Sequence, residues 1–326
     1  MNASAPGSNK HSPAVVLLAT CDGASWLPQL LDSVLAQDHP KLQILARDDC
    51  SEDATLDVLA SYQQAAPGRI SLLDNPGRER VGPRANFAAL AEAALAAPGA
   101  TPDSLYLFCD QDDLWHPGKV ATLARHLPAV AAGEPALCYC DMRVVDAGQE
   151  LLADSFLEYQ ALPGTTQLPQ LLVQNHISGC ASLFNRAALE LATPIADKAL
   201  MHDWWLALLV AAAGEVSFCD EVLLDYRQHD KNSVGASGYS MGYVMRRSLD
   251  PDRVTLAKLY QQADALQQRL AEQGLELPAS LVDFAETRLM SLPGRALRLW
   301  QAGFRKRGWL RNLPLLFSPA AERENQ

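Results

Sequence analysis

The sequence lacks any apolar stretch long enough to cross a membrane. Its longest uninterrupted apolar run, residues 204–213, covers about half of the roughly 20 residues that a spanning helix needs. Residues 1–13 are small and polar and contain no apolar core of signal-peptide length. We therefore expect a cytoplasmic protein that is attached to a membrane at most by its surface.

Basic residues and closely spaced cysteines are also scarce. The 27 Lys and Arg residues are outnumbered by 38 Asp and Glu residues, which leaves a net charge of −11. This balance argues against nucleic acid as a partner, because phosphate backbones require a basic surface. Of the seven cysteines, Cys138 and Cys140 alone lie close together, and their spacing is not that of zinc ligands. Neither a disulfide framework nor a zinc site is expected.

The first 150 residues alternate strand-like and helix-like segments. Four short apolar runs are separated by segments with helical spacing. The runs are residues 14–19, 41–46, 69–73 and 105–109. This order predicts a mostly parallel sheet with helices on both faces. Ligands bind beyond the carboxyl ends of such strands, and the first, second and fourth runs all end in turns that contain Asp.

The second half of the chain is less regular. The pattern predicts strands at 136–145, 177–184, 216–219 and 222–227 and helices at 166–174, 202–213 and 253–273. A polar loop rich in Gly and Ser is expected at 228–242.

The strongest local signal is the sequence DQDD at 110–113, directly after the fourth predicted strand. Carboxylates crowded at the end of a buried strand repel one another and usually need a cation, for which Mg²⁺ or Mn²⁺ is suited. The alternative is a solvated acidic turn that precedes the helix near Pro117. Trp115, beside the cluster, is either a stacking platform for a base or sugar or an aromatic residue of the core.

Other polar residues follow a predicted strand, open a helix or lie in a loop. Asp48 and Asp49 either accept hydrogen bonds from a base or ribose or close a turn. Asp203, which follows His202 at the start of an apolar helix, is either a general base for an attacking hydroxyl or a helix cap. His229 is either a metal or phosphate ligand or an exposed loop histidine.

The order of these and other short motifs resembles family 2 glycosyltransferases. More narrowly, it is similar to the bacterial rhamnosyltransferases that build O-antigen, part of lipopolysaccharide, and other surface polysaccharides. The motifs, within residues 13–240, are AT-CDG, ARDDCSEDAT, VGPRANF, FCDQDDLWHPGKV, SGCASLFNRAAL, HDWW and YRQHDKNSVGA. Two sites depart from the family pattern, because Cys21 and Asp22 replace Tyr and Asn, and Cys50 replaces Gly. Neither departure removes a carboxylate.

The resemblance implies a GT-A fold, which is α/β with a Rossmann-like, mostly parallel central sheet flanked by helices, here with a helical C-terminal extension. It divides the chain into a disordered tail (1–12), a glycosyltransferase domain (13–240) and a basic helical extension (241–326). It implies an inverting hexosyltransferase dependent on Mg²⁺ or Mn²⁺. The donor would be a nucleotide-diphospho-sugar, dTDP-rhamnose, and the acceptor a hydroxyl of a lipid-linked glycan.

The functional positions of the family carry over residue by residue. Asp203 corresponds to the catalytic base. The nucleotide and donor contacts are Thr20, Asp22, Asp48, Asp49, Asn86, Asp110 and Gln111. The acceptor or sugar pocket is formed by Trp115, Ser178, Gly179, His202 and Trp204. The metal ligands are Asp110, Asp112, Asp113 and His229.

The end of the chain concentrates positive charge. Residues 288–326 contain eight basic and two acidic residues, a net of +6, so that residues 1–287 carry −17 of the total of −11. Because cations alternate with Leu, Trp and Phe, we expect this segment to lie on the anionic cytoplasmic face of the inner membrane. The alternative is an amphipathic helix that packs on the acidic body through ordinary ion pairs.

Other functions fit the sequence less well or remain open. A nucleotidyltransferase would need a Gly-rich loop with a basic residue after the first strand, whereas this turn is TCDGAS. A glycoside hydrolase would need paired carboxylates without a metal cluster. A UDP-sugar donor stays open, as does a sugar- or cation-binding protein without catalysis, which would not need a base at Asp203.

Overall fold

The computed structural model describes residues 12–77, 79–229 and 254–317. The strands are β1 (Ala14–Thr20), β2 (Leu42–Asp48), β3 (Ile70–Leu72), β4 (Leu105–Cys109), β5 (Leu114–Trp115), β6 (Ala136–Val145), β7 (Leu151–Ala153), β8 (Ser182–Asn185) and β9 (Glu215–Arg227). The helices of the first 229 residues are α1 (Leu27–Leu35), α2 (Thr55–Ala65), α3 (Gly82–Ala96), α4 (Lys119–His126), α5 (Phe156–Tyr159), α6 (Leu168–Leu171), α7 (Arg186–Ala192) and α8 (His202–Ala213). The C-terminal helices are α9 (Leu256–Glu272), α10 (Ala279–Glu286), α11 (Leu292–Gln301) and α12 (Asn312–Phe317).

The strands form one sheet in the order β3-β2-β1-β4-β8-β6-β9-β5, with β7 beside β6. The four strands from β3 to β4 are parallel, as the alternation of strands and helices predicts. Beyond β4 the sheet is mixed, because β8 runs antiparallel to both of its neighbours, whereas β6 and β9 are parallel. The parallel character of the sheet therefore belongs mainly to its N-terminal half.

Most predicted elements match the structure, and β4, β6 and α8 have the predicted bounds. Two regions differ. The strand predicted at 177–184 is a 3₁₀ turn, Gly179–Ala181, followed by the short strand β8. The two strands predicted at 216–219 and 222–227 are one strand, β9, whose register against β6 shifts near Asp141. Such a bulge absorbs extra residues without ending the strand.

Apolar side chains pack on both faces of the sheet. Successive residues of β1 point to opposite faces. Val16 and Leu18 therefore belong to the core beneath α1 and α4, whereas Leu17 belongs to the core beneath α3 and α8. The second core continues into the C-terminal region, where Phe284 of α10 and Phe304, just after α11, are fully buried.

The basic segment from residue 288 onward packs in part on the rest of the molecule. Arg288 forms a salt bridge with Asp264 at 2.6 Å, and Arg298 forms one with Asp283 at 2.7 Å. These contacts agree with the expectation that the segment packs on the acidic body through ion pairs. Within the described residues of this segment, several apolar side chains are exposed, among them Leu289, Leu297, Trp300, Trp309 and Leu313. Membrane attachment remains a prediction.

Parts of the predicted domain division fall outside the described residues. These are residues 1–11 of the predicted tail, the boundary at 240 and most of the loop predicted at 228–242. The division into three parts therefore stays a prediction. Within the described ranges, no helix is both long enough and apolar enough to span a membrane.

Candidate active site

The carboxyl ends of β1, β2 and β4 meet at one edge of the sheet, because β1 pairs in parallel with both of the other strands. The turn after β1 carries Asp22, and the turn after β2 carries Asp49. The turn after β4 carries Asp110, Asp112 and Asp113, which we call the acidic cluster. Ligands of parallel sheets bind at this kind of edge.

Asp113 is the most thoroughly buried member of the acidic cluster. Its side chain is 1% exposed, and neither carboxylate oxygen has a hydrogen-bond partner among the described residues. Burial and the charges of Asp112 and Asp110 raise the pKa of Asp113 well above its ordinary value. Burial, then the charges of Asp112 and Asp203, raise the pKa of Asp110 to about 7. Ligand atoms of Asp110, Asp113 and Cys180 all lie within 4.8 Å of one another.

This geometry fits a hard divalent cation. A cation would bind the unpartnered oxygens of Asp113 and would offset the repulsion within the acidic cluster. Cys180 is a poor ligand, since burial raises the pKa of its thiol well above the usual value and keeps it protonated. The donors are therefore mainly carboxylate oxygens, which Mg²⁺ and Mn²⁺ prefer.

Lys119 is a buried cation behind the acidic cluster that was not predicted as a site residue. Its Nζ donates to Cys180 O at 2.5 Å and lies 3.6 Å from the centroid of the Trp115 ring. Burial lowers the pKa of Lys119, and its charge lowers the pKa values of Asp110 and Asp113. The available signal was its position in the first turn of α4, where the helix dipole disfavours a cation.

Asp112 contacts two residues at and just beyond the end of β9, Arg227 and His229. Its Oδ2 lies 2.9 Å from His229 Nε2, and the His229 ring stacks on Trp26 with 5.1 Å between centroids. Arg227, which is 2% exposed, donates from Nε to Asp112 O at 3.0 Å. Two of the predicted metal ligands, Asp112 and His229, are thus brought together. Arg227 and Trp26 were missed, although Arg227 stands in the motif that contains His229.

Asp203 lies at the start of α8 with its carboxylate oriented by three donors. Oδ1 accepts from Trp204 N at 2.6 Å and from Asn175 Nδ2 at 3.3 Å, and Oδ2 accepts from Gly179 N at 3.0 Å. Burial raises the pKa of Asp203 to about 6, although these hydrogen bonds lower it. Such a carboxylate is ionised at neutral pH and is a stronger base than an ordinary aspartate.

The turn Gly179–Ala181 connects Asp203 to the acidic cluster. Gly179 donates to Asp203, and the next residue, Cys180, lies against Asp110 and Asp113. A Cβ atom at position 179 would lie 3.1 Å from Asp203 Cβ, which is tighter than ordinary packing. The close approach of the two groups therefore favours glycine at this position. Ser178, just before this turn, is half-buried.

Several residues predicted to hold the nucleoside are engaged by the protein itself. Thr20, Asp48 and Asp49 are buried. Asp48 Oδ1 accepts from Thr20 Oγ1 at 2.9 Å. The two oxygens of Asp49 accept from Val81 N and Gly82 N, both at 2.8 Å, and so fix the start of α3.

Asn86 and Gln111 also brace the loops around the site. Asn86 is 2% exposed, accepts from Arg47 Nη1 at 2.7 Å and donates to Arg47 O at 3.1 Å. Gln111 accepts from Cys21 N and donates to Cys21 O, both at 2.8 Å. In this structure the two side-chain amides hold the strand ends in place. Their predicted contacts with a nucleotide remain proposals.

The turns after β1 and β2 both contain a residue in the left-handed region. The φ angles are +51° at Asp22 and +60° at Cys50, a conformation that is rare for residues other than glycine. Cys50 stands where the family has Gly, and its φ angle explains that preference. Asp22, whose side chain is 28% exposed, forms a salt bridge with Arg80 at 2.6 Å.

Three rings predicted to line the acceptor or sugar pocket are buried, and their role in the pocket stays a prediction. Trp115 is 2% exposed, and Trp204 is 5% exposed. His202 is 5% exposed and stacks on Phe87 with 3.9 Å between centroids. Burial lowers the pKa of His202 to about 3, so this histidine is neutral. A short motif cannot distinguish a core aromatic from a pocket aromatic, because both are apolar and adjoin the same turn.

The chain also matches a known protein family. The family model for glycosyl transferase family 2 matches residues 15–190, more than half of the chain. The chain belongs to glycosyl transferase family 2. Two curated relatives in this class are each 24% identical to it. The uncharacterized glycosyltransferase alr2836 of Nostoc sp. matches over 67% of this chain and 65% of its own length. The dTDP-rhamnosyl transferase RfbG of Shigella flexneri matches over 68% of this chain and 74% of its own length.

Solved structures confirm the predicted GT-A class of this family member. S. aureus TarS 1-349 in complex with UDP-GlcNAc has a TM-score of 0.52 and 15% identity, over 89% of this chain and 79% of that chain. The mannosyltransferase PcManGT from Pyrobaculum calidifontis, in complex with GDP-Man and Mn²⁺, has a TM-score of 0.51 and 18% identity, over 90% and 74% of the two chains. At such identities the likeness concerns the fold.

Proposed function

We propose that this chain is an inverting glycosyltransferase that uses Asp203 as its general base. It transfers a sugar from a nucleotide-diphospho-sugar to a hydroxyl of a growing, lipid-linked surface polysaccharide. The proposed donor is dTDP-rhamnose, which is supported by similarity to the Shigella rhamnosyl transferase. The main alternative is a UDP-sugar, because the TarS structure contains UDP-GlcNAc.

The observation that carries this proposal is the proximity of a base to a cation-binding group. Gly179 donates to Asp203, and its neighbour Cys180 lies against Asp110 and Asp113. The charge of Asp203 also contributes to the raised pKa of Asp110. A base and a group that neutralises a leaving diphosphate are the two elements that a single displacement at an anomeric carbon requires.

Asp203 takes the proton from the acceptor hydroxyl while this hydroxyl attacks the anomeric carbon on the face opposite the diphosphate. A single attack from that face inverts the configuration of the carbon. The donors Gly179 N and Trp204 N hold the carboxylate in one orientation, so its basic oxygen does not have to be ordered during the reaction.

Asp110, Asp112 and Asp113, with His229 paired to Asp112, are the residues that would hold Mg²⁺ or Mn²⁺. When bound, such a cation stabilises negative charge on the departing nucleoside diphosphate. The PcManGT structure contains Mn²⁺ together with GDP-Man. Lys119 favours the ionised, metal-binding form of Asp110 and Asp113, because its charge lowers their pKa values.

A thermal-shift screen of nucleotide sugars tests both the class and the donor. The full chain is heated with dTDP-rhamnose, UDP-GlcNAc or GDP-mannose, each with Mn²⁺ or with EDTA. A ligand that binds only the native state stabilises it by RT ln(1 + [L]/Kd), about 2.7 kcal/mol at a hundredfold excess over Kd. We expect dTDP-rhamnose with Mn²⁺ to give the largest increase in melting temperature and EDTA to remove most of it.

Asp113→Asn should lose the Mn²⁺-dependent part of this increase, because it removes a carboxylate of the acidic cluster. The matched control is Asp57→Asn on the exposed side of α2, which should behave like the unaltered chain. A larger increase in melting temperature with UDP-GlcNAc than with dTDP-rhamnose would overturn the donor assignment but not the enzyme class. If no nucleotide sugar changes the melting temperature in Mn²⁺, the proposed function is wrong.

A further inference from the structure

A second polar site lies where the C-terminal segment meets the loop around α6. A pocket of about 300 Å³ is lined by Pro163, Gln170, Arg305, Lys306 and Arg307. Three of these five side chains are cationic, and no carboxylate is among the described residues that line it. Arg305 and Arg307 are exposed, and Lys306 is half-buried. A concave site with three cations suits an anion.

The backbone of this basic loop, residues 305–307, is fixed by hydrogen bonds. Arg307 N donates to Gln174 Oε1 at 2.9 Å, and Lys306 N donates to Asn312 Oδ1 at 2.8 Å. Asn312, which is 4% exposed, donates in return to Lys306 O at 2.9 Å. A loop that is already ordered loses less conformational entropy when it binds a ligand. The basic loop is therefore prepared for binding, unlike an unstructured basic tail.

The basic loop is also close to the proposed catalytic base. Gln174 accepts from Arg307 N, and the next residue, Asn175, donates to Asp203 at 3.3 Å. Since these two residues are consecutive, the backbone of Arg307 lies within about 20 Å of the Asp203 carboxylate. This distance is short enough for one extended substrate to span.

Gln170 adds a neutral polar group to the pocket. Its Oε1 is buried and has no hydrogen-bond partner among the described residues. A buried carbonyl oxygen without a donor is unfavourable, and a ligand hydroxyl would satisfy it. Cations beside an acceptor for a hydroxyl match the chemistry of a sugar phosphate or sugar diphosphate.

Exposed tryptophans adjoin the basic loop on both sides in the sequence. Trp300 is 47% exposed, and the guanidinium of Arg305 lies 5.5 Å from its ring centroid. Trp309, two residues after the loop, is 69% exposed. Tryptophan beside cations is typical of surfaces that contact phospholipid headgroups. These tryptophans therefore favour a phosphate attached to a lipid over a free ion as the ligand of this pocket.

We propose that the basic loop binds the phosphate or diphosphate that joins the acceptor sugar to its lipid. Arg305 and Lys306 contact phosphate oxygens, Gln170 accepts from a sugar hydroxyl, and the glycan extends toward Asp203. The assignment to the acceptor rests on the proposed function, whereas the phosphate site rests on the geometry of the pocket alone.

Calorimetry of the full chain with inorganic diphosphate in EDTA tests the site. EDTA is included so that the acidic cluster does not bind diphosphate through a metal. We expect one site, and we expect Arg305→Ala combined with Lys306→Ala to raise Kd at least tenfold. Arg307 is left unchanged, because its side chain donates to Leu162 O at 2.7 Å and supports the fold.

The matched control is Arg288→Ala combined with Arg298→Ala. It removes the same charge from the same segment, but at side chains that form salt bridges away from the pocket lining. We expect its Kd to change less than threefold. Equal weakening in both double variants would show an effect of net charge, and an unchanged Kd in the pocket variant would place diphosphate elsewhere. Either result would overturn the proposal.

Vesicle sedimentation distinguishes a lipid phosphate from a soluble one. We expect binding to phosphatidylglycerol vesicles and not to phosphatidylcholine vesicles, with competition by diphosphate and weakening in the pocket variant. Diphosphate binding without vesicle binding would overturn the lipid part and retain the phosphate site. All these readouts are binding in EDTA, so a chain that fails to transfer sugar would count against the proposed function alone.

Discussion

Asp203 is the single residue on which the proposed chemistry depends most. A general base acts only when it is unprotonated, and burial raises the pKa of Asp203 to about 6. At saturating Mn²⁺, which would keep Asp110 ionised, the transfer rate should therefore increase as the pH rises through about 6 and should level off above it. Asp203→Asn should lower the rate about 10²- to 10⁴-fold and remove this pH dependence, while donor binding persists.

The measurement is the initial transfer rate on both sides of pH 6, with donor binding followed separately. Asp197→Asn, at an exposed position before α8, serves as the control and should keep the pH profile of the unaltered chain. If Asp203→Asn turned over its true acceptor at nearly the unaltered rate, another group would have to be the base.

The residues of the site also show what a sequence motif can and cannot predict. The motifs predict which acidic side chains gather at the strand ends, because parallel strands end at the same edge. They do not reveal that Asp49 is engaged by Val81 N and Gly82 N, which follow it by more than 30 residues. Lys119 was missed for a similar reason, since its contact with Cys180 O joins residues 61 positions apart.

Among the elements, the turn Gly179–Ala181 contacts both Asp203 and the acidic cluster. The sequence pattern predicts a strand here because the residues are small and apolar, and periodicity does not distinguish a buried turn from a buried strand. The mixed half of the sheet was missed for a related reason. The antiparallel pairing of β8 depends on contacts with β4 and β6, which are distant in sequence. The parallel half was predictable because each strand–helix unit is local.

Gly179→Ala tests whether this turn positions the base. The new Cβ would lie 3.1 Å from Asp203 Cβ and 3.3 Å from His202 Nε2, so the turn or Asp203 must move. We expect a loss of about 1–3 kcal/mol in stability and a fall of more than tenfold in the transfer rate at saturating donor. Gly99→Ala is the control, because its Cβ would meet no atom within 4 Å. Full activity in Gly179→Ala would show that the turn does not set the geometry of Asp203.

At the scale of the whole molecule, the C-terminal segment is part of the folded body as well as a charged surface. Composition predicts the charge of this segment but not its packing, because cations and apolar residues alternate in membrane-bound and in docked helices alike. In the structure this segment is partly buried and partly exposed. Phe304 and Leu299 are fully buried in the core that contains α3 and α8, whereas Trp309 is exposed.

Phe304→Ala tests whether the C-terminal helices unfold together with the rest of the molecule. The Phe304 ring lies 5.1 Å from that of Phe284 and is fully buried, so its removal should lower the free energy of unfolding by about 3–5 kcal/mol. We expect one urea transition, shifted equally when followed by circular dichroism and by donor binding. Trp309→Ala, at a 69% exposed position, should change stability by less than about 0.5 kcal/mol. Two separate transitions would contradict a shared core. Deletion of residues 288–326 would remove Phe304 from Phe284 and expose this part of the core, so surface substitutions are a cleaner test of membrane binding than truncation.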